Sequence, residues 1–368
     1  MGWFLGFTLT QSPFDGTALM SKAEPLRQTG PEILRILLML MIITHHLLVH
    51  GLGLSRLFFG QSTGNPSMVA AELFLNSFVV GAVNCFILIS GYFGIRLKAR
   101  SLSQFLLQAI VYSVGIVVVF RLVGWNAPYA SIFLYWFLVV YLALMGLSPF
   151  LNRLIDSLSD RELASFLGTL LLVVCGLGFA GRLSSFMGTD HGLVQMITMY
   201  VLGHSLRRFE SILKKLRPHH CLFALVACGV GVFLPSLALF RHHPSAAWSL
   251  FSYENPLIIL SAIALFLLFV RAPWQWKHAR TVSTSVFGIY LLHDNERFRE
   301  LVIQKWVPKF VHQPWEVVVY IPAFAVAIFL VGWLIDFAVL KVVAIVLDLK
   351  PLRWIERNVD SRLLQNPR

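Results

Sequence analysis

Charge is scarce in this chain. Asp, Glu, Lys and Arg make up 13% of its 368 residues, against about 25% in a soluble domain. Acidic residues are the rarer kind, 18 against 30 basic. Apolar residues reach 57% and the mean hydropathy is +0.73. That balance excludes a soluble globular protein and leaves no room for a second large soluble domain. Cysteine is also sparse. Cys85, Cys175, Cys221 and Cys228 form no Cys-x-x-Cys pair and stand near no histidine at metal spacing. They read as small hydrophobes of the interior. The first thirty residues lack the basic start and continuous apolar core of a signal peptide. Met20 is an alternative start, and Gly6 stands where a myristoylation signal needs Ser or Thr. There is no internal repeat, heptad seam or low-complexity tract. Nor is there a paired interruption in matching halves, the usual pointer to a transporter site.

What the chain has is long apolar runs. Stretches of about twenty such residues mark membrane spans. Ten are expected, at 32–52, 68–95, 103–124, 130–151, 163–181, 191–206, 218–240, 254–271, 281–302 and 316–347. The fold class is therefore all-α, a polytopic membrane protein of about ten transmembrane helices. Segments 1–30 and 348–368 lie outside the membrane domain 31–347. With the N-terminus inside, the inside segments hold 20 Lys and Arg, the outside segments 7, and three lie within spans. This bias predicts that both termini are cytoplasmic. The net charge of +12 is then a topology signal and an attraction to anionic membrane lipids, not a nucleic-acid surface.

Polar groups inside spans are costly and usually functional. The first span holds Arg35 and, eleven residues on, His46. Eleven steps are close to three helical turns and roughly 16 Å, so the two share a face. Glu32, Ile42 and His50 fall near that stripe, and His45 points aside. The ninth span carries His293, Asp294 and Asn295. In this topology His293 and Asp294 reach the depth of His46. Ser90, Gly91 and Tyr92 lie near the inner end of the second span, followed by Arg96, Lys98 and Arg100. An anion from the cytoplasm could be held there while its reactive end reaches His46, whose imidazole is a natural proton acceptor. Each feature also has a structural reading. Arg35 could snorkel to headgroups, His46 could be a packing residue, Ser90-Gly91 a close helix contact, and His293-Asp294 a frayed helix end. Asn84 is assigned to the site. Glu72, near the outer end of its span and within reach of water, and Asp336 stay open. Trp125, Tyr135 and Trp136 read as an aromatic belt, or as rings on which a sugar stacks.

Taken together these segments resemble the acyltransferase 3 family of bacterial membrane acyltransferases, in the branch that modifies cell-surface polysaccharides. The pieces are Glu32-Ile-Leu-Arg35 with His46, then Val83-Asn84 through Ser90-Gly91-Tyr92-Phe93. Next come Tyr135-Trp136-Phe137-Leu138 to Tyr141, Leu147-Ser148-Pro149-Phe150-Leu151-Asn152, Tyr200-Val-Leu-Gly203, and Phe287-Gly288-Ile289-Tyr290 through Asn295. They occur in the family's order over residues 31–340. Leu38 departs from the small residue usual three positions after the arginine.

The resemblance implies a multi-pass protein of the bacterial inner membrane. It implies transfer of an acyl group, commonly acetyl, from cytoplasmic acetyl-CoA or another acyl-CoA to a sugar hydroxyl of a surface glycan or lipid-linked sugar. No tightly bound cofactor and no metal is expected. Arg35 with Arg96, Lys98 and Arg100 would hold the donor's phosphates. Ser90 and Gly91 would line its approach. His46 would act as general base, with His293 or Asp294 orienting it or binding acceptor, and with Glu32, Asn84, His50 and Asn295 as further candidates. A covalent acyl intermediate on His46 or Ser90 is an open alternative. A transporter or flippase of a polysaccharide precursor is the rival reading. It too would need many spans and buried His, Arg and Asp, but no thioester donor.

Overall fold

The computed structural model describes residues 29–58, 65–125, 135–180 and 192–350, together with Arg353 and Asn358. The expected N-terminal segment up to residue 28, and with it Met20, lies outside these residues. So does most of the expected tail. Among the described residues all regular structure is helical and no strand occurs.

The principal helices, in chain order, are α1 Gly30–His46, α2 Pro66–Val79, α3 Ala82–Phe93, α4 Ala99–Leu122, α5 Trp136–Ser157 and α6 Asp160–Leu171. They continue with α7 Leu193–Arg208, α8 Pro218–Leu239, α9 Pro256–Val270, α10 Val286–His293 and α11 Pro314–Leu347. Proline opens several of them, in the first turn of α1, α2, α8, α9 and α11, where its missing N–H costs nothing. Asn65 and Asn255 cap α2 and α9 by accepting the N–H groups of Ser67 and Leu257.

Among the described residues, seven helical stretches are long and apolar enough to cross a membrane: Gly30–Leu52, Pro66–Phe93, Ala99–Leu122, Trp136–Ser157, Asp160–Phe179, Pro218–Leu239 and Pro314–Leu347. Each coincides with an expected span. The other three expected spans take different forms. Helices α7 and α9 have 16 and 15 residues, short of the usual twenty or so. The segment expected at 281–302 is broken into Ala279–Ser283, α10, Glu296–Phe298 and a π-helical turn Arg299–Ile303. The first span also ends in a π-helix, Leu47–Leu52, directly after His46. Such turns recur at functional sites.

Helix α3 runs through the centre, packed on α7, α9 and α1. Its approach to α7 requires glycine on both sides. A Cβ on Gly91 would overlap the Tyr200 carbonyl, and one on Gly203 would overlap the Leu88 carbonyl. At one end the starts of helices meet the ends of others. The Thr29 N–H and hydroxyl both donate to the Trp274 carbonyl at 3.0 Å, tying the start of α1 to the chain after α9. Arg271, after α9, donates to the Leu216 carbonyl before α8 at 3.0 Å. Arg100, at the start of α4, pairs with Asp348 after α11 at 2.9 Å. Arg100 and Arg271 thus stand at helix junctions of this end. Exposed Leu122, Phe150, Leu172, Phe223, Leu334 and Ile345 cover the outside of the bundle, a surface suited to lipid rather than water.

Candidate active site

The broken ninth segment builds the centre of the site. Helix α10 ends at His293, and Asp294 takes the bridge conformation (φ −90°, ψ 0°). Asn295 then turns extended and caps the next turn, its side-chain oxygen accepting the N–H groups of Arg297 and Phe298 at 3.0 and 3.4 Å. Asn295 also donates to the Tyr135 hydroxyl at 2.8 Å, and that hydroxyl donates to the Leu291 carbonyl at 2.9 Å. The polar run His293-Asp294-Asn295 is therefore a structured break. It delivers two polar side chains to the face of α1. It is not a frayed end.

Five side chains meet there. His46 Nδ1 lies 3.1 Å from His293 Nε2 and 3.5 Å from Asp294 Oδ1. Arg299 Nη1 donates to Asp294 Oδ1 at 3.0 Å and stands 3.4 Å from His50 Nε2. His46, His293 and Asp294 are buried. The hydrogen-bond pattern assigns the protons. His293 Nδ1 is 2.7 Å from the Ile289 carbonyl, which only accepts, so Nδ1 carries the hydrogen. In neutral His293, Nε2 is then a lone pair. His46 Nδ1 faces that lone pair and the Asp294 carboxylate, so it too carries its hydrogen. His46 Nε2 is left with an available lone pair.

His46, with Nε2 as its basic nitrogen, borders a small cavity of about 20 Å³. Met39 and Ile42, on the same face of α1, line it with Val83, Phe86, Trp136, Phe137 and Tyr290. Its walls are almost wholly apolar. His46, His50 and Asp294 also offer three ligand atoms within 4.8 Å of one another. The Arg299 guanidinium, however, already engages the Asp294 oxygen and faces the His50 nitrogen that a cation would need.

Arg35 is 3% exposed. It does not snorkel to the surface, and its guanidinium lies 5.8 Å from the Phe93 ring centre. Ser90 donates to the Phe86 carbonyl at 3.1 Å and meets the Tyr141 hydroxyl at 3.2 Å. Tyr141 stacks on Phe137 of the cavity wall, with ring centres 5.4 Å apart. Gly91 serves the α3–α7 crossing. Glu32 is buried in the first turn of α1, where the helix dipole favours a carboxylate. Lys98 precedes the first turn of α4, Arg100 is engaged by Asp348, and Arg96 lines a separate cleft.

Several expected placements change. Asn84 bonds to groups other than the histidines: it donates to the Tyr253 carbonyl at 2.8 Å and accepts from Gln195 at 3.0 Å. Glu72 does not reach water, being 5% exposed. Tyr135 is no belt residue, since it is buried and holds the broken segment, and Trp136 lines the cavity. Asp336 is fully buried, accepts from Gln108 and Tyr112 at 2.7 and 3.0 Å, and packs against Gly288 of α10. Arg299 is the residue that sequence reasoning missed. Its place five residues after Asp294, just past the break, is the usable signal.

A bundle of long apolar helices defines an integral membrane protein, and it encloses buried His46, His293 and Asp294 with half-buried Arg299 beside them. The acyltransferase 3 family, described as an acyltransferase domain, matches residues 28–337. The chain belongs to that family and is a membrane acyltransferase. No curated protein and no solved structure matches it.

Proposed function

We propose that the chain transfers an acyl group, commonly acetyl, from cytoplasmic acyl-CoA to a sugar hydroxyl of a surface glycan or lipid-linked sugar. His46 is the general base. The observation that carries this reading is the tautomer of His46, with Nδ1–H held by His293 and Asp294 and Nε2 left basic beside the cavity. In the reaction Nε2 takes the proton of the sugar hydroxyl as its oxygen attacks the thioester carbonyl. The tetrahedral intermediate expels CoA as thiolate, and the imidazolium returns the proton to that sulfur. Asp294, 3.5 Å from Nδ1, stabilises the transient imidazolium, and Arg299 holds Asp294 in place at 3.0 Å. Apolar walls limit the competing hydrolysis of the thioester. Arg35, on the same face of α1 and roughly three turns away, lies toward the end where donor phosphates are held, with Arg96, Lys98 and Arg100 beyond it.

In this reading the bundle end that carries the helix junctions faces the cytoplasm of a bacterial inner membrane. Family membership favours the enzyme over a transporter or flippase of a glycan precursor. The test is the acyl-ester content of the native surface glycan by proton NMR, in cells with the gene, without it, and with His46→Ala at equal protein level. Loss of one ester signal in both the deletion and the variant is expected. General-base removal typically costs about 10²–10⁴-fold. Unchanged esters with altered glycan export would return the choice to the flippase.

A further inference from the structure

A second cleft, of about 540 Å³, opens at the bundle end where α3, α5 and α7 finish. Arg96, from the segment after α3, lines it together with His204, Arg207 and Arg208 of α7, Phe93 and Asp156. The lining carries three guanidinium groups against one carboxylate. The cleft is held open by a knot of hydrogen bonds. Tyr200 donates from its hydroxyl to Asn152 Oδ1 at 2.7 Å and accepts the Ile95 N–H at 2.9 Å. Asn152 Nδ2 donates to the Ile95 carbonyl at 3.0 Å, and His204 Nε2 donates to Asn152 Oδ1 at 3.1 Å. Gly94, at φ +74°, turns the chain out of α3 beside His204. Arg208 is braced by Asp160 at 2.6 Å and by the Ile155 carbonyl at 3.3 Å. Arg96 and Arg207 are exposed on the lining. Two sequence elements that the chemistry at His46 leaves unused, Asn152 and Tyr200, thus have a purpose: they fix the distance between two arginine-bearing walls.

We infer that this cleft binds the phosphorylated nucleotide end of the acyl-CoA donor, with Arg96 and Arg207 as its phosphate clamp. This rests on the acyl-transfer reading above. Guanidinium groups bind phosphate oxygens in pairs, and the donor's nucleotide end carries a 3′-phosphate and a diphosphate. Phe93 joins the two sites. Its ring lines the cleft and lies 5.8 Å from the Arg35 guanidinium, at the head of the stripe that ends in His46. A pantetheine arm leaving the cleft past Phe93 would run along α1 toward the apolar cavity. The donor set therefore shifts from the contiguous run Arg96/Lys98/Arg100 to Arg96 together with Arg207, 111 positions later in the chain.

The experiment uses full-length protein in nanodiscs of zwitterionic lipid, with Arg96→Gln, Arg207→Gln and the double variant. Binding of adenosine 3′,5′-bisphosphate and CoA is measured by calorimetry. Turnover is measured with acetyl-CoA and with acetyl-pantetheine, which lacks the nucleotide. Each single variant is expected to weaken bisphosphate binding and raise KM for acetyl-CoA about tenfold, as loss of a charged hydrogen bond predicts. Kinetics with acetyl-pantetheine should be unchanged. Unaltered bisphosphate binding in the double variant, with wild-type turnover intact, would overturn the clamp and leave the acyl-transfer reading standing. Equal loss with both donors would also overturn it, since that marks a merely structural role. Wild-type bisphosphate binding that both variants abolish, without any acyl transfer, would overturn the parent reading and keep a nucleotide-phosphate site. If wild-type protein binds no bisphosphate but retains anionic phospholipid through Arg96 and Arg207, the cleft is a headgroup site and the inference falls.

Discussion

At the scale of residues, the tautomer of His46 makes sharp demands. His293→Ala removes the lone pair that holds the His46 Nδ1 hydrogen at 3.1 Å. The imidazole can then take the wrong tautomer. We expect kcat to fall about 10–100-fold, the range seen when an orienting partner of a functional histidine is lost, with the donor KM little changed. Steady-state kinetics separate the two. Arg299→Gln leaves the buried Asp294 carboxylate without its guanidinium partner at 3.0 Å. Breaking a buried pair typically costs about 3–5 kcal/mol, so a large drop in thermal unfolding midpoint in detergent is expected. Asp294→Asn in the same background should recover part of that loss, because no charge is then stranded.

Helices set the second scale. Gly91→Leu places a side chain where the Tyr200 carbonyl already lies. Overpacking of this kind costs about 1–3 kcal/mol or more, and here it would also displace Tyr200 from its bonds to Asn152 and Ile95. The expected result is lower stability together with weaker CoA binding, read by thermal shift and calorimetry. Much of this level was legible beforehand. The apolar runs and opening prolines mark the helices, and the shared face of Arg35 and His46 follows from eleven residues of helical period. The break at Asp294 was visible as a polar interruption, but its consequence was not. Only in three dimensions does Asn295 become a cap, Tyr135 its brace and Arg299 a partner of Asp294. Asn84 shows the same limit. A polar residue in a span signals a buried partner, and the partner is the Tyr253 backbone rather than a histidine.

For the whole molecule, the charge bias predicts which face meets the cytoplasm. A cysteine replacing Lys277 should be labelled by an impermeant maleimide only in inside-out vesicles, and one replacing Arg241 only from outside. The reverse pattern would separate the donor cleft from cytoplasmic acyl-CoA. The Arg96–Arg207 cleft was illegible in the sequence because its walls lie 111 positions apart. Position along the chain carries no information on which helix ends become neighbours.

The histidines at the centre of the site are separated by 247 positions. At about 5–20 residues per second of synthesis, the first span waits in the bilayer on the order of 10–50 s before the ninth emerges. Throughout that interval His46 lacks His293 and Asp294, the partners of its Nδ1. A ribosome stalled before α10 would therefore leave an inserted but inert bundle. Conversely, an N-terminal fragment ending near Lys277 should regain function when the remaining helices are supplied as a separate chain, since what the centre needs is lateral docking of α10 against α1 rather than the covalent thread between them.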